Sequence, residues 1–160
     1  MITPFYILLG SNMGNSQKQL LKAKEQIEQK IGIILRSSSI YETAAWGNIN
    51  QPNFLNQVII VQSSLNAAAC MQQLLLIEKQ MGRIRTVKNA PRVIDLDILF
   101  HGKSIIESEL IQLPHPRLAE RRFVLIPLNE LSPNFKHPVA QKSIHQLLQS
   151  CTDKLDVKKF

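Results

Sequence analysis

The chain has 160 residues, of which 44% are hydrophobic, and a formal net charge of +7. This length and composition are typical of one compact domain, so we expect residues 1–160 to fold together. The two cysteines, Cys70 and Cys151, have no metal-ligand spacing, which argues against a disulfide framework or a zinc site and favours the cytoplasm. No apolar run approaches the roughly 18 residues of a membrane span. The positive charge favours an anionic partner, without distinguishing nucleotides, nucleic acid and acidic membrane surfaces.

The first 53 residues contain two predicted strands, one predicted helix and a long loop. Residues 2–10 are apolar on both faces, which predicts a central strand covered on both sides. Apolar residues at helical spacing predict a helix over 16–31, and a β-branched, serine-rich stretch predicts a second strand over 33–41. The loop over 42–53 is twelve residues long, and loops of this length in compact domains are often functional.

The same order of elements then follows once more. Residues 54–63 predict a third strand, and a second helix begins at Asn66 and ends before Gly82. A connection over 83–92 carries four positive charges and no acid, and it leads into an apolar strand that ends at residue 100. Two strand-helix-strand units predict an α+β fold with a ferredoxin-like βαββαβ core.

The last third of the chain is rich in proline. Prolines recur from residue 114 onwards, so we expect a loop-rich, short-helix C-terminal extension whose last helix covers 142–150. Lys154, Lys158 and Lys159 lie in a polar tail, which we expect to be solvated.

Two acids interrupt the apolar strand that follows the basic connection. Asp95 and Asp97 are two residues apart, so along a strand they project from the same face. Such carboxylates repel each other unless a cation lies near them, and Mg²⁺ is usually held by one or two carboxylates with water and phosphate oxygens. The pattern suggests a phosphate-handling metal site. Pairing of both acids with nearby arginines is an equally simple explanation.

Further candidates flank this strand. Arg83, Arg85 and Arg92 are planar, permanently charged donors for phosphate oxygens, although a solvated basic loop would have the same composition. His115 lies between two prolines, where histidine is usually structural. Phe54 and Phe123 are typical core residues. Asn56 shares a strand face with Phe54, and its amide needs partners if it is buried, so it could offer a donor and an acceptor to a heterocycle.

Several short motifs occur along the chain in the order found in one known family. They are Gly10-Ser11-Asn12, Gln51-Pro52-Asn53-Phe54-Leu55-Asn56, Glu78 with Gly82-Arg83-Ile84-Arg85, Ala90-Pro91-Arg92-Val93-Ile94-Asp95-Leu96-Asp97-Ile98-Leu99, and Pro114-His115-Pro116-Arg117 through Arg121-Arg122-Phe123-Val124-Leu125. Collinear from about residue 4 to Pro133, the sequence resembles the 6-hydroxymethyl-7,8-dihydropterin pyrophosphokinase family of folate biosynthesis.

This resemblance implies transfer of the β,γ-diphosphate of ATP to the hydroxymethyl group of the pterin, with release of AMP. By similarity, Asp95 and Asp97 bind two Mg²⁺ ions, and Arg83 and Arg92 are further catalytic residues. The implied ATP-binding residues are Glu78, Arg85, Ile98, His115 and Arg121. The implied pterin-binding residues are Thr43, Ala44, Trp46, Phe54, Asn56 and Phe123. The resemblance also implies a cytoplasmic monomer without nucleic-acid or membrane partners.

The chain departs from the family pattern at a few positions. Lys88-Asn89-Ala90 stands where many members have Arg-Trp-Gly, so an aromatic lid contact is in doubt. Ala44 and Ala45 replace prolines, and Pro116 stands where some members have tyrosine. We therefore expect differences in the stiffness of the 42–53 loop and in the adenine contact.

Two other functions fit part of the sequence. A basic ferredoxin-like RNA-binding module would stack bases on aromatic residues exposed on its central strands, but the corresponding aromatic run is absent from this sequence. A magnesium-dependent phosphotransferase with another small acceptor would retain Asp95, Asp97 and the arginines. It would make no use of Asn56, so that residue distinguishes the two enzymes.

Overall fold

The computed structural model describes residues 3–45, 50–84 and 91–160. The predicted α+β class is confirmed. The helices and strands are β1 (Pro4–Ser11), α1 (Ser16–Lys30), β2 (Ile33–Ser37), β3 (Tyr41–Thr43), β4 (Phe54–Gln62), α2 (Ala67–Gln80), β5 (Asp95–His101), β6 (Ile106–Glu107), β7 (Gln112–Leu113), α3 (Arg122–Leu131), α4 (Ile144–Ser150) and β8 (Val157–Lys159), with a 3-10 turn at Leu118–Glu120.

The main sheet of the described residues is antiparallel and has the strand order β5-β1-β4-β3-β8, with β2 also paired to β4. Strand β1 therefore lies between β4 and β5. The short strands β6 and β7 form a separate ribbon. Because β1 runs antiparallel to both neighbours, its C-terminal end meets the N-terminal ends of β4 and β5, and these three ends position the candidate site.

Helices cover both faces of the sheet. Alternate residues of β1 belong to two separate cores: Phe5, Ile7 and Leu9 pack with α1 and α2, whereas Tyr6 and Leu8 pack with α3 and α4. The prediction of a central strand covered on both sides is confirmed. It explains why β1 is apolar at nearly every position.

The first two helices begin where the sequence predicts. The Asn15 side chain accepts a hydrogen bond from the backbone N–H of Lys18 at 3.1 Å, and Asn66 accepts one from Ala69 at 2.8 Å. Each asparagine thereby satisfies a backbone donor that has no partner inside its helix. No helix of the described residues is long and apolar enough to cross a membrane.

The prediction of one strand over 33–41 is wrong, because the strand is interrupted at Ser38. The Ser38 hydroxyl accepts the N–H of Val58 at 3.0 Å, and the Ser38 carbonyl accepts the side-chain amide of Gln57 at 2.7 Å. The Ser38 backbone N–H still donates to the Val58 carbonyl at 2.8 Å, but the Val58 N–H is bonded to the Ser38 side chain. The chain consequently pairs as β2 before this point and as β3 after it.

The expectation of a solvated tail holds for its lysine side chains but is wrong for its backbone. Lys158 is 73% exposed, yet β8 pairs with β3 and places Val157 opposite Thr43. Asp153 accepts the N–H of Arg122 at 3.0 Å, which satisfies a donor at the beginning of α3. The C-terminal third thus supplies an edge strand and the two helices of the second core.

Candidate active site

One row of residues crosses the sheet at the end where β1 meets its neighbours. Gly10 of β1 pairs with Asp95 of β5 on one side and with Asn56 of β4 on the other. Leu8 pairs with Asp97 one row further along the same face. A Cβ at Gly10 would lie 3.0 Å from the Asn56 side-chain oxygen, so the glycine keeps the surface between the carboxylate and the amide open.

A first cleft lies over this row of residues. It brings together every predicted pterin-binding residue among the described ones, both aspartates and two arginines. The cleft is lined by Leu8, Gly10, Thr43, Ala44, Phe54, Asn56, Arg92, Asp95, Asp97, Arg121 and Phe123.

One wall of the first cleft carries no charge and is formed by Thr43, Phe54 and Asn56. Hydrogen bonds between strands hold this neutral wall in place. Asn56 is 3% exposed, and its side-chain N–H donates to the Thr43 hydroxyl at 3.1 Å. Thr43 in turn pairs with Phe54 in the sheet. A buried amide held in this way keeps a defined orientation and presents its remaining polar capacity toward a ligand.

A second cleft adjoins the first. It contains two of the predicted ATP-binding residues, Ile98 and His115, and it shares Asp97 with the first cleft. Its other walls come from α2 and from the β6-β7 ribbon. The cleft is lined by Met71, Asp97, Ile98, Ser108, Glu109, Leu110, Ile111, Gln112, His115 and Pro116.

His115 is neutral at physiological pH. Burial lowers its pKa to about 4, and the positive charge of Arg121 contributes to the shift. The Nδ1 atom accepts the backbone N–H of Arg117 at 3.2 Å. The ring proton therefore lies on Nε2, which makes this atom a hydrogen-bond donor.

Asp95 is paired with two arginines. Arg83 and Arg92 each contact a different carboxylate oxygen of Asp95, the second at 3.0 Å. Asn12 makes two hydrogen bonds to the Arg92 backbone. The Asn12 backbone N–H donates to the Arg92 carbonyl at 3.0 Å, and the Asn12 side-chain oxygen accepts the Arg92 N–H at 2.8 Å. The alternative explanation by arginine pairing thus applies to Asp95.

Glu78 lies behind these arginines. It is 2% exposed, and it accepts the backbone N–H of Leu96 at 2.7 Å and a guanidinium N–H of Arg83 at 2.9 Å. Burial opposes the charge of Arg83, but Asp95 and Glu78 together raise its pKa. Glu78 lines neither cleft, so any effect on ATP binding would act through Arg83.

Asp97 differs from Asp95 because it makes no salt bridge with any described residue. Burial raises its pKa to about 7, and the charges of Asp95 and Glu78 add to the shift. Arg121 has no carboxylate at salt-bridge distance in the described ranges either, and its guanidinium carbon lies 5.7 Å from the centre of the Phe123 ring. An additional cation near Asp97 would favour its ionised form.

The donor set of the site fits a hard divalent cation such as Mg²⁺. Asp95 and Asp97 supply carboxylate oxygens on one strand face. Residues 3–45, 50–84 and 91–160 contain no group of three or more His, Cys, Asp or Glu side chains that could hold a metal ion. An ion held here would need further oxygens from phosphate and water, and Mg²⁺ normally uses them.

Two predicted site residues, Trp46 and Arg85, lie outside the described residues. The β6-β7 ribbon is not predicted by the sequence patterns, nor are individual site roles for Leu8, Gly10 and Asn12. The small Gly10-Ser11-Asn12 segment was the available signal, because a short glycine-asparagine turn allows close approach of backbones. The composition of the ribbon has no comparable feature.

Two clefts that share a carboxylate are expected of a transferase that brings two substrates together. Residues 6–133 match the model of the 7,8-dihydro-6-hydroxymethylpterin-pyrophosphokinase family. Because this match covers most of the chain, the chain belongs to that family. The predicted family is confirmed.

Relatives of different lengths match the chain. The 2-amino-4-hydroxy-6-hydroxymethyldihydropteridine pyrophosphokinase of Aquifex aeolicus is 39% identical over 88% of this chain and 88% of its own length. The folic acid synthesis protein fol1 of Pneumocystis carinii is 43% identical over 92% of this chain, which spans only 20% of fol1. A crystal structure of Plasmodium falciparum HPPK-DHPS has the same fold, with a TM-score of 0.73 at 16% identity over 93% of this chain and 42% of the other.

Proposed function

We propose that this chain transfers the β,γ-diphosphate of ATP to the hydroxymethyl group of 6-hydroxymethyl-7,8-dihydropterin. The hydroxymethyl oxygen forms a bond to the β-phosphorus, and the bond from that phosphorus to the oxygen bridging to the α-phosphate breaks. AMP leaves, and the hydroxyl proton is released to solvent. The products are AMP and the pterin diphosphate, which belongs to folate biosynthesis.

The single observation that carries this proposal is the position of Asp97 in the wall of both clefts. The first cleft has two aromatic side chains and a buried amide, which suit a flat heterocycle with polar edges. The second has apolar side chains and a neutral histidine, which suit a nucleotide base and sugar. Phosphates that cross from the second cleft to the first would pass Asp97 and Arg121.

We assign the pterin to the first cleft. Phe54 and Phe123 would pack against the two faces of its ring, and Asn56 would bond to its polar edge. Thr43 orients Asn56, while Ala44 lines the rim next to it. The role of Trp46 as a further contact is carried over from the sequence.

We assign ATP to the second cleft, where Ile98 contacts the base and His115 donates from Nε2. Arg121 and Arg92 face the phosphates from the first cleft. Arg83 is poised behind Asp95 and is oriented by Glu78. Arg85 is expected to contribute another phosphate contact.

The site is suited to two Mg²⁺ ions held by Asp95 and Asp97. Bound Mg²⁺ would neutralise phosphate charge and polarise the attacking hydroxyl. Asp95 would exchange part of its arginine pairing for this role, which releases Arg83 and Arg92 to bind phosphate oxygens. Little covalent chemistry is required of the protein, because positioning and charge neutralisation account for most of phosphoryl-type catalysis.

We further propose that residues 1–160 act as a single domain and as a cytoplasmic monomer. The neighbouring pairs β5-β1, β1-β4 and β2-β4 are antiparallel and support a ferredoxin-like core, to which the residues after β5 add an extension.

The direct test is analysis of the nucleotide product. The protein is incubated with Mg²⁺ and ATP, with and without 6-hydroxymethyl-7,8-dihydropterin, and AMP is resolved from ADP by chromatography. We expect AMP that depends on the pterin and on Mg²⁺, together with one pterin diphosphate per AMP. Formation of ADP would mean transfer of a single phosphoryl group, and it would overturn the proposal.

A further inference from the structure

The outer wall of the first cleft depends on a short strand. Thr43 and Ala44 lie at the end of β3, a strand of only three residues that is separated from β2 by the interruption at Ser38. One neighbour of β3 is β4, and the other is the edge strand β8. Only three residues of β3 pair with each neighbour, so contacts outside the sheet also contribute to the position of this wall relative to α3.

A carboxylate of α3 provides such a contact. Glu130 accepts the Tyr41 hydroxyl at 2.6 Å and the Ser39 hydroxyl at 3.1 Å. The Ser39 backbone N–H also donates to both carboxylate oxygens, each at 3.1 Å. These bonds connect the beginning of β3 and the residues before it to a single side chain of α3.

This contact joins two elements that line the first cleft. Tyr41 and Thr43 share a face of β3, because alternate residues of a strand point the same way. Glu130 lies seven residues after Phe123 in α3, which is about two helical turns along the same helix face. The Glu130 contact therefore joins the strand that carries Thr43 to the helix that carries Phe123.

The pKa shifts of Tyr41 and Glu130 favour a hydrogen bond from a neutral tyrosine to a charged carboxylate. Burial opposes ionisation of Glu130, but its bonds from Tyr41 and Ser39 and the charge of Lys159 lower its pKa overall. Burial and Glu130 together raise the pKa of Tyr41 to about 12. Glu130 is thus a carboxylate and Tyr41 is a hydroxyl donor at physiological pH, which is the stronger combination.

We propose that Glu130, through Tyr41 and Ser39, is a positioning residue that sets the distance between the two walls of the first cleft. It touches no proposed substrate. Its loss is expected to weaken binding of the pterin and to leave binding of ATP unchanged. This inference rests on the proposed function, since it concerns the acceptor side of the same site.

The chain offers a matched control. The Tyr6 hydroxyl and the Ser132 hydroxyl are 2.7 Å apart, so this tyrosine also bonds the sheet to the end of α3. Tyr6 lies on β1 and has no contact with β3 through that bond. Tyr6→Phe therefore removes a tyrosine hydrogen bond between the sheet and the end of α3 but leaves the contact between β3 and Glu130 in place.

The experiment measures the Kd of 6-hydroxymethyl-7,8-dihydropterin at a saturating concentration of a non-hydrolysable ATP analogue with Mg²⁺, and separately the Kd of the analogue. For Tyr41→Phe and Glu130→Ala we expect a roughly fivefold to tenfold rise in the pterin Kd and an unchanged analogue Kd. Glu130→Gln retains acceptor capacity and is expected to have a smaller effect. Tyr6→Phe is expected to lower the Tm without changing either Kd.

An unchanged pterin Kd in Tyr41→Phe and Glu130→Ala would overturn the inference, as would equal weakening of both ligands. Such results, with normal pterin-dependent AMP formation by the wild type, would leave the proposed function intact. Absence of AMP formation with a pterin Kd that shifts as expected would overturn the reaction but support the positioning role. Absence of any pterin binding by the wild type would overturn both.

Discussion

The two sides of the first cleft are stabilised in different ways. On the neutral side, Asn56 and Thr43 bond to each other and need no charged partner. The charged side contains Asp95 and Asp97. Arg83 and Arg92 form salt bridges with Asp95, whereas Asp97 has no salt bridge within the described ranges. The neutral side is therefore organised for a ligand in advance. Under the proposed function, Asp95 has to exchange its arginine partners when a polyphosphate and its cations bind.

This difference separates the expected effects of substitution. A change on the neutral side removes shape or a hydrogen bond, and it should affect one substrate. A change on the charged side alters the ion-pair network of Glu78, Arg83, Asp95 and Arg92 or Asp97 beside it, and it should affect turnover, stability or both.

The largest effect is expected for Asp97→Asn. The substitution is nearly isosteric but removes the carboxylate that both clefts share, so we expect a roughly thousandfold loss of AMP formation. Pterin-dependent AMP production at saturating substrates measures this loss, and circular dichroism checks the fold. Turnover close to that of the wild type would contradict the metal role of this strand.

A comparison of Arg83→Leu and Arg92→Leu sharpens the account of the charged side. Both variants are expected to lose roughly a hundredfold in turnover, because both remove a residue that we propose to bind phosphate. The free energies of unfolding of the two variants should differ. Arg83 is 8% exposed and also pairs with buried Glu78, so its substitution should lower the free energy of unfolding by about 3 kcal/mol. Arg92 is 29% exposed, and its loss should cost less than about 1 kcal/mol.

Urea unfolding measures both free energies. Equal destabilisation by the two substitutions would mean that the Glu78 contact contributes nothing that is specific to Arg83. Such a result would remove the orienting role assigned to Glu78.

On the neutral side, Asn56→Ala is expected to raise the KM for the pterin roughly tenfold or more and to leave the KM for ATP unchanged. The variant removes the proposed polar contact to the pterin and leaves the Thr43 hydroxyl without the Asn56 donor. Initial-rate kinetics with each substrate varied in turn separates these effects. Full activity with the pterin would favour a phosphotransferase that acts on another acceptor.

A smaller effect on the same side is expected for Gly10→Ala. The added Cβ would lie 3.0 Å from the Asn56 side-chain oxygen, so the amide must shift by a few tenths of an ångström. We expect the pterin KM to rise by about threefold, which corresponds to less than 1 kcal/mol. A lower pterin KM would indicate that the shifted amide fits the ligand better than the original one.

The last prediction concerns the dependence of stability on pH in the absence of ligands. The pKa of Asp97 is raised from 3.8 to about 7 in the folded state, so protons bind the folded state more strongly between these values. The wild type should therefore lose stability relative to Asp97→Asn as pH rises from about 4 to 7, with no further change above 7. Thermal unfolding of both proteins across this range measures the difference. Parallel curves would mean that Asp97 ionises in the folded state as readily as in the unfolded one.

Much of the fold and of the neutral side could be predicted from local patterns. The spacing of apolar residues fixes β1, α1 and α2, and the asparagines before each helix fix where it begins. The two-residue spacing of Asp95 and Asp97 is enough to place them on one face of β5. These features depend on residues that are close together in the sequence.

The features that could not be predicted depend on distant partners. The break at Ser38 results from bonds to Gln57 and Val58 of another strand, and a serine-rich stretch does not reveal it. The tail becomes β8 only because the edge of β3 is available. The pairing of Asp95 with Arg83 requires α2 and β5 to lie side by side, which spacing along the chain does not determine.

A count of divalent ions bound at the junction of the clefts tests the role of Asp97 directly. Mn²⁺ is titrated in the presence of a non-hydrolysable ATP analogue, and bound ions are counted by electron paramagnetic resonance. We expect two ions for each wild-type chain in the ternary complex, and fewer in Asp97→Asn at the same concentrations. The same number and affinity of ions in both proteins would contradict the assignment of Asp97 as a metal ligand.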